Sequence, residues 1–309
     1  MEKQEYENLI FEGGGVLSFS YFGVIIELER LGILQKFKRF GGTSVGSIFA
    51  GLLAAEFTAL EILRLQKKLS SEMLSCKYDL ISAFNIFKNN GVNCLNSLKK
   101  QIEKTISKKW NPDITLAELF QKTGKDLVLV SCCINRQKTV YFHHSTFGEV
   151  KLIDAIIASL AAPLFFQPIS LTVFGTKDYF VDGGIVDNYP IWVFNDIDAL
   201  YKGELSKIDK SKVNSKTLGL KLLCLEDKTV EPQRQEINDV FNMFRLFVIV
   251  LTSRIDKINF SPSWEKQTVT IPTGIIYFLD FEIKNDQISE LLKYGEHAIK
   301  KHFERLHNK

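Results

Sequence analysis

The chain has 309 residues, 45% of them hydrophobic and 24% charged, with 39 basic and 36 acidic side chains and a formal charge of +3. That composition supplies apolar material for a substantial core and excludes a disordered or collagen-like chain. The small basic surplus makes no case for nucleic acid, so no nucleic-acid partner is expected, and no apolar run approaches the roughly 20 residues that cross a bilayer, so any membrane contact is expected to be peripheral.

The first residues, Met1 to Glu7, are polar and acidic and lack the charged-then-apolar pattern of a secretory signal. A cytoplasmic location is the expectation. Five cysteines, none in C-x-x-C spacing, fit reduced thiols rather than a zinc site. Asn8 to Phe11 is a short apolar run stopped by Gly13, Gly14 and Gly15, and a helical pattern follows through Val24, Ile25, Leu28 and Leu31. A second unit repeats the arrangement, with Phe37 to Phe40 as strand, Gly41 and Gly42 as turn, and Ile48 to Leu53 opening a helix. Strands alternating with helices at this spacing predict an α/β domain with a parallel sheet.

Residues 58 to 124 read as mostly helical, with Leu60, Leu63, Leu65 and Leu69 among Lys67, Lys68, Lys99, Lys100, Lys108 and Lys109. The pattern predicts an inserted helical cap, or more plainly a solvated basic helix face. Further strands are expected at Asp126 to Ile134, Thr139 to His143, Asp178 to Val181, Leu218 to Leu225 and Gly274 to Phe281, with helices over Leu152 to Ala162 and Glu236 to Ile255. Tyr201 to Thr217, rich in Lys and Ser, reads as an exposed mobile loop. Ile288 to Leu306 is an amphipathic helix. The expected organisation is one domain over residues 1–285, cap included, with a C-terminal helix at 286–309 packed on it.

Three glycine-bearing motifs carry chemistry. Gly42-Thr43-Ser44-Val45-Gly46 matches G-x-S-x-G between a strand and a helix, the setting of a nucleophile elbow. Gly42 and Gly46 flank Ser44 because so sharp a turn leaves no room for side chains, and the following helix aims its amides at charge developing beside the serine. Gly13, Gly14 and Gly15 expose backbone amides that suit an oxyanion hole, a bound phosphate or merely a tight turn. No Gly-Lys-Ser/Thr follows them, and G-x-G-x-x-S is not the dinucleotide fingerprint. The third motif, Val181-Asp182-Gly183-Gly184, brings a carboxylate to a strand end ahead of the glycines Gly183 and Gly184. A serine hydroxyl needs a proton acceptor. Of the histidines, His297, His302 and His307 fall on or just after the last helix and His143 and His144 follow a strand, so Asp182 is the preferred base.

Taken together, Glu12 to Val24, Gly42 to Gly46, Ala158 to Ile169 and Asp182 to Pro190, in that order over about residues 8 to 195, resemble the patatin-like phospholipase family. The resemblance implies a three-layer α/β/α fold with a mostly parallel central sheet. It also implies a Ser-Asp dyad at Ser44 and Asp182, an oxyanion hole around Gly13, Gly14 and Gly15, and no metal or cofactor. The implied activity is hydrolysis of the acyl esters of membrane phospholipids through an acyl-enzyme, with a membrane lipid as substrate and a protein activator as an open question. A neutral-lipid lipase, a transacylase and a silent lipid-binding protein are the alternatives. Where the family commonly has Arg or Lys followed by Gly, this chain has Leu17 and Ser18, so a positive charge at the oxyanion is not expected. Asp187 or Asn188 is expected to cap a helix begun by Tyr189 and Pro190, and Phe165 and Phe166 to line an acyl pocket or fill the core.

Overall fold

The computed structural model describes residues 5–75, 95–163, 165–223, 260–274 and 283–307, with single helical positions at 243, 246 and 250. Eight strands join in one sheet: β1 (Asn8–Phe11), β2 (Arg39–Thr43), β3 (Asp126–Cys133), β4 (Lys138–Phe142), β5 (Ile169–Thr172), β6 (Lys177–Asp182), β7 (Thr217–Leu223) and β8 (Thr268–Pro272). Their order is β5-β6-β3-β2-β1-β7-β8, with β4 also paired to β3. The run from β3 through β2, β1 and β7 to β8 is parallel, while β4 and β6 lie antiparallel to β3 and β5 lies antiparallel to β6.

Helices cover both faces of this sheet, giving the three-layer α/β architecture, and the side-chain alternation of the central strands shows why. Leu9 and Phe11 of β1, with Leu127 and Leu129 of β3, enter the larger core, while Ile10, Val128 and Val130 between them enter a second core on the opposite face. A strand whose alternate residues are apolar in both registers is stable only when buried on both sides. The helices are α1 (Ser20–Arg30), α2 (Val45–Ala54), α3 (Ala59–Ser75), α4 (Leu95–Ile106), α5 (Leu116–Thr123), α6 (Leu152–Leu160), α7 (Ile197–Tyr201) and α8 (Asn285–His307). Residues of α1, α2, α3, α4, α6 and α8 share the larger core, and Ile191, Trp192, Phe194 and Leu200 with Trp264 fill the smaller one.

The 58–124 region, where described, is built into this core rather than set over it. Ile62, Leu65 and Leu69 of α3 and Leu95, Leu98, Ile102 and Ile106 of α4 are buried in it. Its basic residues are partly engaged: Lys99 Nζ lies 2.7 Å from Asp154 Oδ1, and Lys109 Nζ lies 3.3 Å from Glu61 Oε2.

β2 sits later than its apolar run suggests, because Gly41 and Gly42 belong to the strand and the turn falls at Ser44. The glycines permit close approach: a Cβ on Gly42 would lie 2.4 Å from Gly46 O, where α2 folds back on its own strand. Two strands, β5 and β8, were not expected from the sequence: each alternates apolar and polar residues, Ile169-Ser170-Leu171-Thr172 and Thr268-Val269-Thr270-Ile271, but over only four residues. The segment 201–217 is not the mobile loop its composition predicts. Asn195 Nδ2 donates to Asp209 O (2.8 Å) and Lys212 O (2.7 Å), Trp264 Nε1 donates to Lys210 O (2.9 Å), and Ile208 is buried. Beyond Gly274 the strand expected over Gly274 to Phe281 lies outside the described residues, as does the helix Glu236 to Ile255 apart from Met243, Leu246 and Val250.

α8 packs along α1 at two glycines. A Cβ on Gly23 would lie 1.9 Å from Leu292 O, and one on Gly295 would lie 1.8 Å from Ser20 O. Gly295→Ala is therefore expected to force the helices apart at a cost of about 1–3 kcal/mol, the usual penalty of overpacking. Thermal denaturation should show a melting temperature several degrees lower, while His297→Ala on the exposed side of the same helix leaves it unchanged. An unshifted Gly295→Ala would mean the crossing has room the structure denies.

Candidate active site

The ends of β1, β2 and β6 bring the three glycine motifs together. In the parallel register Phe11 pairs with Gly42, so the chain leaving β1 at Glu12 and Gly13 faces the chain leaving β2 at Thr43 and Ser44. Ser131 of β3 pairs with Asp182, the last residue of β6, while its neighbour Val130 pairs with Thr43. Ser44 and Asp182, remote in sequence, thus emerge at one rim of the sheet.

Ser44 has φ +54° and ψ −130°. A non-glycine residue held at positive φ costs about 1–3 kcal/mol and persists only where its surroundings hold it. Here its N–H donates to Ser159 Oγ of α6 at 2.9 Å, and a Cβ on Gly46 would lie 2.6 Å from Phe11 O. The strain turns the hydroxyl out of the strand and towards Asp182: Ser44 Oγ donates to Asp182 Oδ2 at 2.6 Å.

The carboxylate is positioned by its own loop. Asp182 N–H donates to Ala161 O at 2.9 Å, and Asp182 Oδ1 accepts from Gly184 N–H at 2.7 Å. Gly183 must lack a side chain, since a Cβ there would lie 2.4 Å from Val130 O. Burial pushes the Asp182 carboxyl up to about 6, against the opposing pull of the hydrogen bonds from Ser44 and the Gly184 amide. An ionised carboxylate of that basicity accepts a proton far better than one in the ordinary range.

The glycine loop after β1 is held on three sides. Glu12, buried, receives Lys221 Nζ on one carboxylate oxygen and Leu222 N–H on the other at 2.6 Å, and Tyr21 OH donates to Glu12 O at 2.7 Å. Asn188 clasps Gly13: Gly13 N–H donates to Asn188 O at 3.1 Å and Asn188 Nδ2 donates to Gly13 O at 3.1 Å. Gly13 is therefore not a free amide for an oxyanion, a correction to its expected role. Its contribution is space, since a Cβ there would lie 2.3 Å from Asn188 Oδ1 and 3.0 Å from Ser44 Cβ. The N–H groups of Gly14, Gly15 and Val45 carry no hydrogen bond among the described residues, and Val45 opens α2. Leu17 and Ser18 bring no charge. Ser18 instead braces the loop, donating to Gly15 O at 2.6 Å and accepting from Gln66 Nε2 of α3 at 3.2 Å.

Asp187 and Asn188 do not cap a helix, because none begins at Tyr189. Asp187 Oδ2 accepts from Tyr141 OH (2.9 Å) and Trp192 Nε1 (3.1 Å), its O accepts from Thr43 Oγ1 (2.9 Å), and the next helix, α7, is capped by Asp196. Phe165 and Phe166 are buried in the larger core. His143, His144, His297 and His302 lie elsewhere. His143 and His144 approach Asp126 at the opposite end of β3, His302 Nε2 lies 3.1 Å from Tyr6 OH, and His297 is exposed on α8. Among the described residues the hydrogen-bond partner of the Ser44 hydroxyl is Asp182.

Sequence reasoning missed Ser131 and Ser159. Ser131 Oγ donates towards Ala158 O (3.0 Å) and Val181 O (2.8 Å), tying β3 to α6 and β6, and Ser159 holds the Ser44 amide. Each is the lone hydroxyl of its element, set among buried apolar residues, and a buried polar atom demands a partner. That was the available signal.

Comparison with known proteins follows the same residues. Residues 9–195 match the family model described as Patatin-like phospholipase. Over 192 residues the chain is 26% identical to the "Probable lipid hydrolase 463L" of Invertebrate iridescent virus 6, a match covering 62% of this chain and 64% of that protein. It is 25% identical over 209 residues to the "cGAMP-activated phospholipase" of Escherichia coli strain TW11681, covering 62% of this chain and 56% of the relative. Both matches span less than two thirds of the relative. The crystal structure of VipD from Legionella pneumophila superposes with a TM-score of 0.59 at 15% identity, over 97% of this chain and 67% of that one. The ExoU-SpcU complex of Pseudomonas aeruginosa gives a TM-score of 0.53 at 17% identity, over 98% and 52%.

Proposed function

The chain belongs to the patatin-like phospholipase family, and on that premise we propose that it is a lipid acyl hydrolase of the phospholipase A type, working through Ser44 and Asp182. The observation that carries the reading is the 2.6 Å hydrogen bond from Ser44 Oγ to a carboxylate whose basicity burial has raised. Ser44 attacks the acyl carbonyl while Asp182 takes its proton. The oxyanion rests on the amides of Gly14, Gly15 and Val45, each such donor being worth roughly 3–4 kcal/mol at comparable sites. Collapse expels the alcohol portion of the lipid, to which Asp182 returns the proton. Water, deprotonated by Asp182, then clears the acyl-enzyme. Residues 1–285 form the hydrolase domain in this proposal, with the 58–124 helices inside it and the C-terminal helix packed on it.

Hydrolysis of a phospholipid mixture, with products read by mass spectrometry for wild type and Ser44→Ala, tests the reading. Release of fatty acid and lysophospholipid by wild type alone is expected. Transfer to an added alcohol in preference to water would favour a transacylase, and turnover of triacylglycerol alone a neutral-lipid lipase. No turnover of any ester would leave a lipid-binding protein.

A base without histidine is the distinguishing chemistry. Replacing His143, His144, His297, His302 and His307 one at a time should each cost less than about tenfold in kcat, well short of the roughly 10²–10⁴ lost with a general base. A folded single variant that loses activity altogether would restore a conventional triad.

The substrate's acyl chains lie in a bilayer, and among the described residues no helix is long and apolar enough to cross one. The proposal therefore includes peripheral contact with membranes from the cytoplasmic side, aided by exposed lysines of α3 and α4. Lys67, Lys68 and Lys100 are exposed, and Lys99 Nζ lies 2.7 Å from Asp154 Oδ1. Reversing the charge of those three should weaken sedimentation with anionic vesicles at low salt, and the difference should shrink as ionic strength rises past about 0.1 M, where screening acts over about 10 Å. Hydrolysis of a short soluble ester should stay unchanged. Equal vesicle binding at low salt would make this a merely solvated helix face. Regulation by a ligand or protein partner also belongs to the proposal, because the Escherichia coli relative is named as activated by cGAMP.

A further inference from the structure

Asp126 opens β3, and β4 runs back antiparallel beside it, with Leu129 paired to Phe142, so that His143 and His144 arrive at its carboxylate. His143 Nε2 lies 3.3 Å and His144 Nε2 3.0 Å from the same oxygen, Asp126 Oδ1, and the three atoms lie within 4.8 Å of one another. Tyr201 OH, at the end of α7, donates to the two carboxylate oxygens at 3.0 and 2.9 Å. Nothing in the acyl-transfer chemistry uses this cluster. Asp126 precedes Ser131, the partner of Asp182, by five residues, roughly 16 Å of strand at about 3.3 Å per residue.

We propose that Asp126, His143 and His144 form a site for a single divalent zinc-like ion that ties the start of β3 to the β4–α6 connection. Two imidazoles and one carboxylate are a donor set that zinc favours. With bonds of about 2.0–2.1 Å, the edge of a tetrahedral site is about 3.3–3.4 Å. The two Asp126 edges, 3.3 and 3.0 Å, already approach that length, and the His143–His144 edge lies within 4.8 Å.

The surroundings prepare the ligands. His143 Nδ1 lies 2.8 Å from Ser145 Oγ and accepts from Ser145 N–H at 3.3 Å; once Nε2 takes the metal, Nδ1 carries the proton and donates to the Ser145 hydroxyl in place of that longer contact. The His144 ring is stacked on Phe120, with centroids 3.7 Å apart and 5° between planes, so its orientation is set. His143 is fully buried, while the His144 side chain is 14% exposed and gives an ion a way in. The opposing charge is Arg39, whose Nε lies 3.4 Å from Asp126 Oδ2, the oxygen turned from the histidines. Tyr201 or a water supplies the fourth position.

The full chain, stripped with a chelator and dialysed, should take up one equivalent of Zn²⁺ in competition with a chromophoric chelator. Co²⁺ in its place should give the visible absorption of a four-coordinate nitrogen and oxygen site. Zn²⁺ should raise the melting temperature of wild type but not of His144→Ala, whose affinity should fall about hundredfold or more, and Ser44→Ala should bind as wild type does. Soluble-ester hydrolysis by wild type should be the same with and without the ion. Failure to take up a stoichiometric ion, a six-coordinate Co²⁺ spectrum in wild type, or undiminished binding by His144→Ala would overturn the proposal.

Discussion

Ser44→Ala and Asp182→Asn should each remove ester hydrolysis almost completely, and the double variant should be no worse than the poorer single one. Asp182→Asn is expected to cost roughly 10²–10⁴ in kcat as the loss of a general base, and Ser44→Ala at least as much. Non-additivity follows from the geometry. The Ser44 hydroxyl donates its proton to Asp182 Oδ2 at 2.6 Å, so removing either end leaves the other without a function, as groups that act as a unit do. The asparagine side chain of Asp182→Asn would keep a carbonyl oxygen for the Gly184 N–H, which Asp182 Oδ1 now accepts at 2.7 Å, and the loop should hold its shape. Single-turnover hydrolysis of a chromogenic ester gives the rates, and circular dichroism checks the fold. Near wild-type turnover by folded Asp182→Asn would remove Asp182 from the chemistry, and penalties that simply multiply would mean that the two residues act independently.

The Ser44–Asp182 pairing, on which the proposed dyad rests, was legible in the sequence because such a turn and strand end fix local pattern. Ser44 needs a turn too sharp for flanking side chains, and Gly42 and Gly46 record that need in five consecutive residues. Asp182 announces itself through Gly183 and Gly184, one refused a Cβ by Val130 O and the other donating to the carboxylate. What was not legible depends on distant residues. Gly13 reads as an amide donor until Asn188, 175 positions on, is found to occupy that amide. Asp187 reads as a helix cap until Tyr141 and Trp192 are found on its carboxylate. The segment 201–217 has the composition of a free loop, yet Asn195 and Trp264 fasten it from outside its own sequence. The α/β alternation was readable because strand and helix periods are local over long runs, whereas β5 and β8 alternate over only four residues, Ile169 to Thr172 and Thr268 to Ile271, too short a pattern to stand out from a loop.

The pH dependence of the enzyme and of its stability should run in opposite directions through the same group. Asp182 must be ionised to accept the Ser44 proton, and burial has raised its pKa to about 6. kcat/KM for a soluble ester should therefore be level above about pH 7 and fall about tenfold per unit below about 6, reaching roughly a hundredfold loss near pH 4. A carboxyl ionises with little heat, so the midpoint should hardly move with temperature, whereas an imidazole limb would shift. For stability, the folded pKa of about 6 stands above the ordinary 3.8 of the unfolded chain. The folded state thus holds the proton over a window where the unfolded chain has lost it. The stabilising contribution of protonated Asp182 is fully present below about pH 4 and is lost as pH rises through 6, a difference of about 3 kcal/mol at neutral pH. Other carboxylates act the other way: Glu7, held down to about 2, chiefly by Lys38, loses its contribution as the medium becomes acidic. The comparison that isolates Asp182 is therefore wild type against Asp182→Asn at each pH. The variant should be the more stable protein at about pH 7.5, by up to about 3 kcal/mol in urea denaturation, and the gap should close towards about pH 4. An activity limb centred near 4, or a variant less stable than wild type at neutral pH, would mean that the carboxylate is stabilised in its ionised form and that the buried, basic Asp182 is wrong.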